Sequence, residues 1–190
     1  MPHIDLPRET PGILALLSFR PDTAAALLGL AEALLRGPGP LSRADRERLA
    51  AFVSARNECQ FCYSSHRAAA AHNDGGSYAS LDAIERDLAS SPVSDKLRAL
   101  LGVADKVRQG GKQVTAADIA RAREAGASDV EIHDAVLIAA AFCMFNRYVD
   151  GLDAPTPTDP EVYDLMGRRL AQQGYLDALS GPGSAPQSQR

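Results

Sequence analysis

The feature that most restricts the fold is an uninterrupted apolar run at residues 135–145, inside a segment that has the pattern of one long helix. Ser128 followed by Glu131 is typical of a capping box, in which two side chains bond free backbone amides at a helix start. Gly151 is a typical helix stop. Because the run is apolar on nearly every side, we expect it to be the central buried helix. It is too short to span a bilayer.

The rest of the chain also favours helices, and no segment keeps the alternating pattern of a strand. Ala- and Leu-rich stretches have high helix propensity, Pro21 suits a first helical turn, and Gly and Pro pairs separate the segments. Ser42, Ser80, Ser94 and Thr115 are candidate caps. The predicted helices cover residues 11–17, 22–36, 42–55, 59–75, 81–88, 95–108, 115–126, 128–150 and 161–173. The predicted fold class is all-α.

The chain length fits one domain with a core of its own. With 190 residues it needs no disulfide staples to fold. Residues 1–10 are polar and Pro-rich, and we expect an extended lead-in there. We expect a single all-helical domain over residues 11–179. Residues 180–190 contain mainly Ser, Gly, Pro and Gln, a composition that predicts a disordered tail.

Charge and composition exclude several classes of function. The formal charge is −4, from 20 Lys+Arg against 24 Asp+Glu, so no strong field attracts nucleic acid. Aromatic residues make up 5% of the chain and Trp is absent, which disfavours a base-stacking surface. Three cysteines do not form a secreted disulfide framework. The N-terminus has no apolar signal core. We therefore expect a cytoplasmic protein with neither nucleic acid nor membrane as a partner.

The residues with chemical potential are concentrated in residues 58–66, which read ECQFCYSSH. On a helix, Cys59, Cys62 and His66 would share one face. The positive end of a helix dipole lowers the pKa of a thiol near the helix start, and His66 can take a proton from Cys62. The spacing also allows a disulfide. This pattern favours redox chemistry, with two alternatives: zinc binding, which lacks the usual second ligand pair, and plain core packing.

A glutamate upstream completes a more specific pattern. Eleven residues separate Glu47 from Cys59, and Cys62 and His66 follow. This arrangement resembles the signature of the alkylhydroperoxidase AhpD-like family, within the carboxymuconolactone decarboxylase superfamily. The similarity covers residues 10–175. The segments that resemble the peroxidase-related branch of that family are 11–13, 35–37, 53–59 and 146–152.

The resemblance implies a thiol-dependent peroxidase with the fold of an AhpD-like helical bundle. Cys62 resembles the cysteine that attacks peroxide and becomes a sulfenic acid, which Cys59 then resolves to a disulfide. His66 resembles the base beside Cys62, and Glu47 the distal carboxylate of a proton relay. One position differs: Phe61 stands where well-studied members have a second histidine between the cysteines. The relay is therefore shorter, water-filled or weaker.

The same resemblance implies the other components of the reaction. Neither an organic cofactor nor a metal is needed. The substrate is a peroxide, electrons return from an external dithiol of the lipoyl or thioredoxin type, and family members are homo-oligomers. Ala-rich helices with small side chains also make subunit packing plausible.

Three other hypotheses use the same residues. In the first, Cys59, Cys62 and His66 hold zinc, with Glu47 or water as a fourth ligand. A lactone decarboxylase or hydrolase is disfavoured, because the branches with that activity lack a CxxC. A redox-sensing or partner-binding protein without turnover is the third. We interpret the remaining candidates as structural, and these are Glu58, Tyr63, Cys143, Asn146, Arg147, Asp150, His3, His72 and His133.

Overall fold

The computed structural model describes residues 1–7 and 9–179, and every regular element in this part of the chain is helical. The all-α prediction is therefore confirmed. The predicted tail at 180–190 lies outside the described residues, and the limits of the domain remain predictions. In chain order the elements are α1 (Ile13–Phe19), α2 (Pro21–Arg36), α3 (Arg43–Arg56), α4 (Gln60–Asn73), α5 (Ala79–Arg86), α6 (Asp95–Gln109), a 3-10 turn (Gly111–Gln113), α7 (Ala116–Glu124), α8 (Asp129–Gly151) and α9 (Pro160–Gln173).

Most helix starts lie where the capping residues predicted them. Ser128 and Glu131 form a full capping box at the start of α8, with both side chain to backbone bonds present. Thr115 and Asp118 do the same for α7. Pro21 is the first residue of α2, where its missing N–H has no helical partner to lose. These starts follow from local chemistry, which is why the sequence alone predicts them.

Some predicted boundaries are wrong for local reasons. The first helix runs over 13–19 rather than 11–17, because Gly12 has a φ of +50° and cannot belong to a right-handed helix. The helix predicted after Ser80 begins one residue before it, at Ala79, with no side-chain cap. Gly151 closes α8 as its last residue, and the left-handed residue follows at Asp153, with a φ of +48°.

Helix α8 supplies the main core but is not buried on every side. It packs against α3 and α6, and Ile138 and Phe142 are almost completely buried. Val130, Leu137 and Met144 are exposed at intervals of seven residues, which places them on one face of the helix. The prediction of burial all round is therefore wrong on this face.

The length and hydropathy of α8 also satisfy the criteria for a membrane span. It is the one helix in the described ranges that does so, and half of its apolar window is buried inside the protein. Burial against other helices is the pattern of a core helix in a soluble fold.

Helix α4 lies between α3 and α9 and makes extensive contact with both. Gly167 of α9 sits directly on the backbone of α4, so that a Cβ at this position would lie 2.5 Å from the carbonyl carbon of Ala68. The absence of a side chain at Gly167 therefore sets the distance between the two helices. This contact matters because α4 carries the cysteines and the histidine, while the chain beyond α9 returns to the same region.

Candidate active site

The CxxC segment sits at the start of α4, as the sequence predicted. Cys59 is the N-cap residue, and Cys62 lies in the first turn. The preceding Glu58 has a left-handed φ of +62°, which reverses the chain sharply between α3 and α4. The backbone N–H of Cys59 donates to the carbonyl of Ser54 at 3.0 Å. Free helix amides and the helix dipole at this end favour a thiolate.

The two cysteines are free thiols packed against each other below the surface. Cys59 is fully buried and Cys62 is 3% exposed. The pKa of Cys59 is raised, chiefly because its thiol hydrogen-bonds to Cys62 and also because it is buried. Cys59 therefore holds its proton, and its S–H can donate to the sulfur of Cys62.

His66 is held in place by Glu47. Its Nδ1 lies 2.7 Å from Oε2 of Glu47, across the contact between α4 and α3. Glu47 is 1% exposed, although a glutamate on a helix is usually exposed to solvent. The ring of Phe142 meets the imidazole edge to face, with centroids 4.5 Å apart. The imidazole thus has one nitrogen fixed by a carboxylate and its ring fixed by packing.

Sequence reasoning missed Tyr175. Its hydroxyl donates to Oε1 of Glu47 at 2.5 Å and lies 3.4 Å from Nδ1 of His66. Burial and the Glu47 carboxylate raise the pKa of Tyr175 well above its usual value, so the phenol stays protonated as a donor. Residues 175–179, which follow the last helix, form a bend and turns. No spacing rule relates this tyrosine to α3, and the sequence carries no signal for its role.

An apolar cavity of about 110 Å³ opens at Cys62 and His66. Cys59 lies behind Cys62, outside the cavity wall, where it packs with Leu6, Leu16 and Tyr163. In the described part of the chain, Nε2 of His66 has no hydrogen-bond partner. The other lining residues are mostly aliphatic or aromatic, and they include Leu14, Leu17, Leu27, Leu28, Phe142, Phe145, Met166 and Leu170. A small apolar molecule that enters this cavity meets one thiol and one imidazole.

Phe61, the residue between the cysteines, lines the same cavity. It is 2% exposed and packs under Gly12 and near Tyr163, with ring centroids 6.0 Å apart in the tyrosine contact. Gly12 has a positive φ, and a side chain there would collide with the phenylalanine ring. Phe61 therefore closes the site with hydrocarbon and adds no group that transfers a proton.

The zinc hypothesis has no support in this geometry. Over residues 1–7 and 9–179, no group of three or more His, Cys, Asp or Glu side chains is arranged to hold a metal ion. Nδ1 of His66 is already engaged by Glu47, and Cys59 lies behind Cys62. The arrangement fits thiol chemistry better than metal coordination.

Comparison with known proteins shows what this chain is similar to. The sequence model of the carboxymuconolactone decarboxylase family matches residues 21–106. The crystal structure of an uncharacterized peroxidase-related protein with an alkylhydroperoxidase AhpD core, from Ralstonia eutropha JMP134, aligns with a TM-score of 0.73. It is 27% identical, over 83% of this chain and 81% of that chain.

These comparisons support an AhpD-like member of the carboxymuconolactone decarboxylase superfamily. An uncharacterized peroxidase-related protein from Silicibacter sp. TM1040 has the same fold, with a TM-score of 0.72 and 24% identity over 81% of this chain and 78% of that chain. No curated protein matches. The family match contains Glu47, Cys59, Cys62 and His66, whereas Tyr175 lies beyond it.

Several of the remaining candidate residues make contacts that hold the helices together. The Cys143 thiol is half-buried, because α8 is exposed on that side, and it accepts a bond from Asn57 at 3.6 Å. Asn146 bonds both Asn57 and Ser54. Arg147 caps a carbonyl on its own helix. His72 pairs with Asp164 at 2.8 Å, which joins α4 to α9.

Proposed function

We propose that the chain is a thiol-dependent peroxidase, an alkylhydroperoxidase-like antioxidant enzyme that acts through Cys62, Cys59, His66 and Glu47. The observation that carries this proposal is the shared cavity: Cys62 and His66 line it together, and Glu47 holds the histidine from behind. Similarity to the carboxymuconolactone decarboxylase family and to a solved AhpD core supports the same class of reaction.

The first step is attack by Cys62 on a hydroperoxide. His66 takes the thiol proton at Nε2, and the resulting thiolate attacks the terminal oxygen of the O–O bond. A sulfur–oxygen bond forms as the O–O bond breaks. The leaving alkoxide takes the proton back from His66 and departs as an alcohol, which leaves Cys62 as a sulfenic acid. The apolar lining suits the hydrocarbon part of an organic hydroperoxide.

The second step is resolution by Cys59. Its sulfur attacks the sulfur of the Cys62 sulfenic acid, a disulfide forms, and the hydroxyl of the sulfenic acid leaves as water. The raised pKa of Cys59 keeps this thiol protonated until the charge on Cys62 has been consumed. The order of the two cysteines therefore follows from their surroundings, with Cys62 at the cavity and Cys59 behind it.

The third step returns two electrons from an external dithiol of the lipoyl or thioredoxin type. A donor thiolate attacks the disulfide, forms a mixed disulfide, and leaves as the oxidised donor while both cysteines regain protons. The cytoplasm maintains such donors in reduced form, so we place the protein there. We also propose a homo-oligomer, because the exposed face of Val130, Leu137 and Met144 offers an apolar surface for a second copy.

The test is consumption of cumene hydroperoxide by the purified protein with dihydrolipoamide, and separately with reduced thioredoxin. We expect many turnovers per chain with at least one donor. In a Cys59→Ser variant, dimedone should trap a sulfenic acid on Cys62, read by mass spectrometry. If the protein with dithiol consumes no more hydroperoxide than the dithiol alone, the proposed peroxidase activity is refuted. One equivalent consumed without further turnover would favour the redox-sensing alternative.

Replacing Glu47 with glutamine is expected to lower kcat/KM about 10²- to 10³-fold. The amide nitrogen would donate to Nδ1 of His66 and force the ring proton to Nε2, where it blocks proton uptake from Cys62. Steady-state hydroperoxide kinetics measure the effect. Glu131→Gln is the control, since it also removes a buried carboxylate but lies at the start of α8. Equal losses in both variants would contradict a specific role for Glu47.

A further inference from the structure

The hydroxyl of Tyr175 is part of the site, yet the steps above do not use it. It donates to one carboxylate oxygen of Glu47 at 2.5 Å while His66 bonds the other at 2.7 Å. In the described residues, Glu47 has no hydrogen bond or ion pair with any side chain besides these two. A carboxylate that is 1% exposed needs donors for both oxygens, because burial otherwise favours its neutral form.

Tyr175 is held in this position by its own backbone. Its N–H donates to Oε2 of Glu32 at 2.8 Å. Gly174 has a φ of +88°, and a Cβ there would lie 2.6 Å from the same Glu32 oxygen. Arg36 bonds Glu32 and the carbonyls at the end of α9. The turn after α9 is therefore fixed against α2, and it delivers the phenol to Glu47 in one orientation.

We propose that Tyr175 is a positioning residue, which holds the Glu47 carboxylate with its Oε2 on Nδ1 of His66, so that Nε2 is the basic nitrogen at the cavity that Cys62 also lines. The proposal rests on the function proposed above for His66. A carboxylate oxygen held on Nδ1 accepts a hydrogen bond from that nitrogen and so places the single ring proton there. Without the tyrosine donor, the Glu47 carboxylate is free to turn away from Nδ1. The ring proton then passes to Nε2, and Cys62 loses its base.

Few other charged groups surround Tyr175, Glu47 and His66. The titratable or charged groups that face these three residues come from three elements: Cys62 on α4, Glu32 and Arg36 on α2, and Arg169 on α9. Glu32 and Arg36 pair with each other at 3.2 Å. Because these two charges pair with each other, the hydrogen bonds from Tyr175 and His66 are the interactions that orient the Glu47 carboxylate.

The decisive variant is Tyr175→Phe, which keeps the ring and removes the hydroxyl. The measurement is the rate of Cys62 alkylation by iodoacetamide against pH, read by peptide mass spectrometry. We expect the pH of half-maximal rate to rise by about one unit, so that the rate on the acid side falls about tenfold. If Tyr175 has a purely structural role, the pH dependence of the Cys62 alkylation rate should not change. A Tyr175→Phe profile that overlays the wild-type profile overturns the proposal.

Tyr78→Phe is the matched control. Its hydroxyl also bonds a carboxylate, that of Asp164 at 3.2 Å, on the far side of α4 from the cavity. This variant should keep the wild-type alkylation profile. A second measurement needs no variant: the ¹⁵N chemical shifts of His66 in the wild-type protein should show the neutral ring protonated at Nδ1. A neutral ring protonated at Nε2 overturns the proposal whether or not Tyr175→Phe folds.

Alkylation requires no peroxide, which separates this inference from the proposed function. If the wild-type protein consumes no hydroperoxide but its alkylation profile depends on Tyr175, the peroxidase is refuted and the positioning role stands. If the wild-type protein consumes hydroperoxide but Tyr175→Phe leaves the alkylation profile unchanged, the positioning role is refuted and the peroxidase stands.

Discussion

Replacing Cys62 with serine is expected to abolish hydroperoxide turnover, with a loss of about three orders of magnitude or more. A serine hydroxyl is not ionised near neutral pH by a single imidazole, and it has no oxidation state that corresponds to a sulfenic acid. Cys62 is also the cysteine that reaches the cavity, so Cys59 cannot replace it without movement of the start of α4. The measurement is cumene hydroperoxide consumption with excess dithiol.

Two further variants give this result its meaning. Cys59→Ser should react once and then stop, because the sulfenic acid of Cys62 has no neighbouring thiol to resolve it. Cys143→Ser should keep full activity, since that half-buried thiol contacts Asn57 and not the cavity. Turnover that survives in Cys62→Ser would show that another group reduces the peroxide.

Replacing Gly167 with alanine is expected to destabilise the protein by about 3 kcal/mol. The new methyl group would lie 2.5 Å from the carbonyl carbon and the Cβ of Ala68 and 2.7 Å from the amide nitrogen of Ala69. Two of these are backbone atoms of α4, so no change of rotamer relieves the contact and the two helices must separate. Urea unfolding followed by circular dichroism measures the loss.

Gly102→Ala is the matched control for that variant. Gly102 lies within α6, and a Cβ there meets no atom within 4 Å. It should gain about 0.5–1 kcal/mol from the higher helix propensity of alanine. Separation of α9 from α4 should also shift Tyr175, so Gly167→Ala is expected to slow Cys62 alkylation while Gly102→Ala does not. Equal stability of the two variants would contradict this account of the contact between α4 and α9.

The sequence by itself determined the features that depend on neighbouring residues. The all-α class follows from helical spacing without strand alternation. The capping box at Ser128 and the cap at Thr115 form as predicted, and the CxxC stands at the start of α4, where the chain reverses at Glu58. The pairing of Glu47 with His66 was expected from a family resemblance. Without that resemblance, a glutamate on a helix is more often exposed to solvent.

Only the tertiary structure decided which distant segments of the chain contact each other. The burial of α8 on one side, with Val130 and Met144 exposed on the other, depends on how many helices pack around it, which no local pattern encodes. Cys59 falls behind Cys62 because the N-cap position turns the chain away from the helix face that the spacing assumed. Tyr175 reaches Glu47 across 128 residues of chain. A buried carboxylate takes its donors from whatever the fold brings within 3 Å, and hydrogen-bond geometry in space carries no periodicity in sequence.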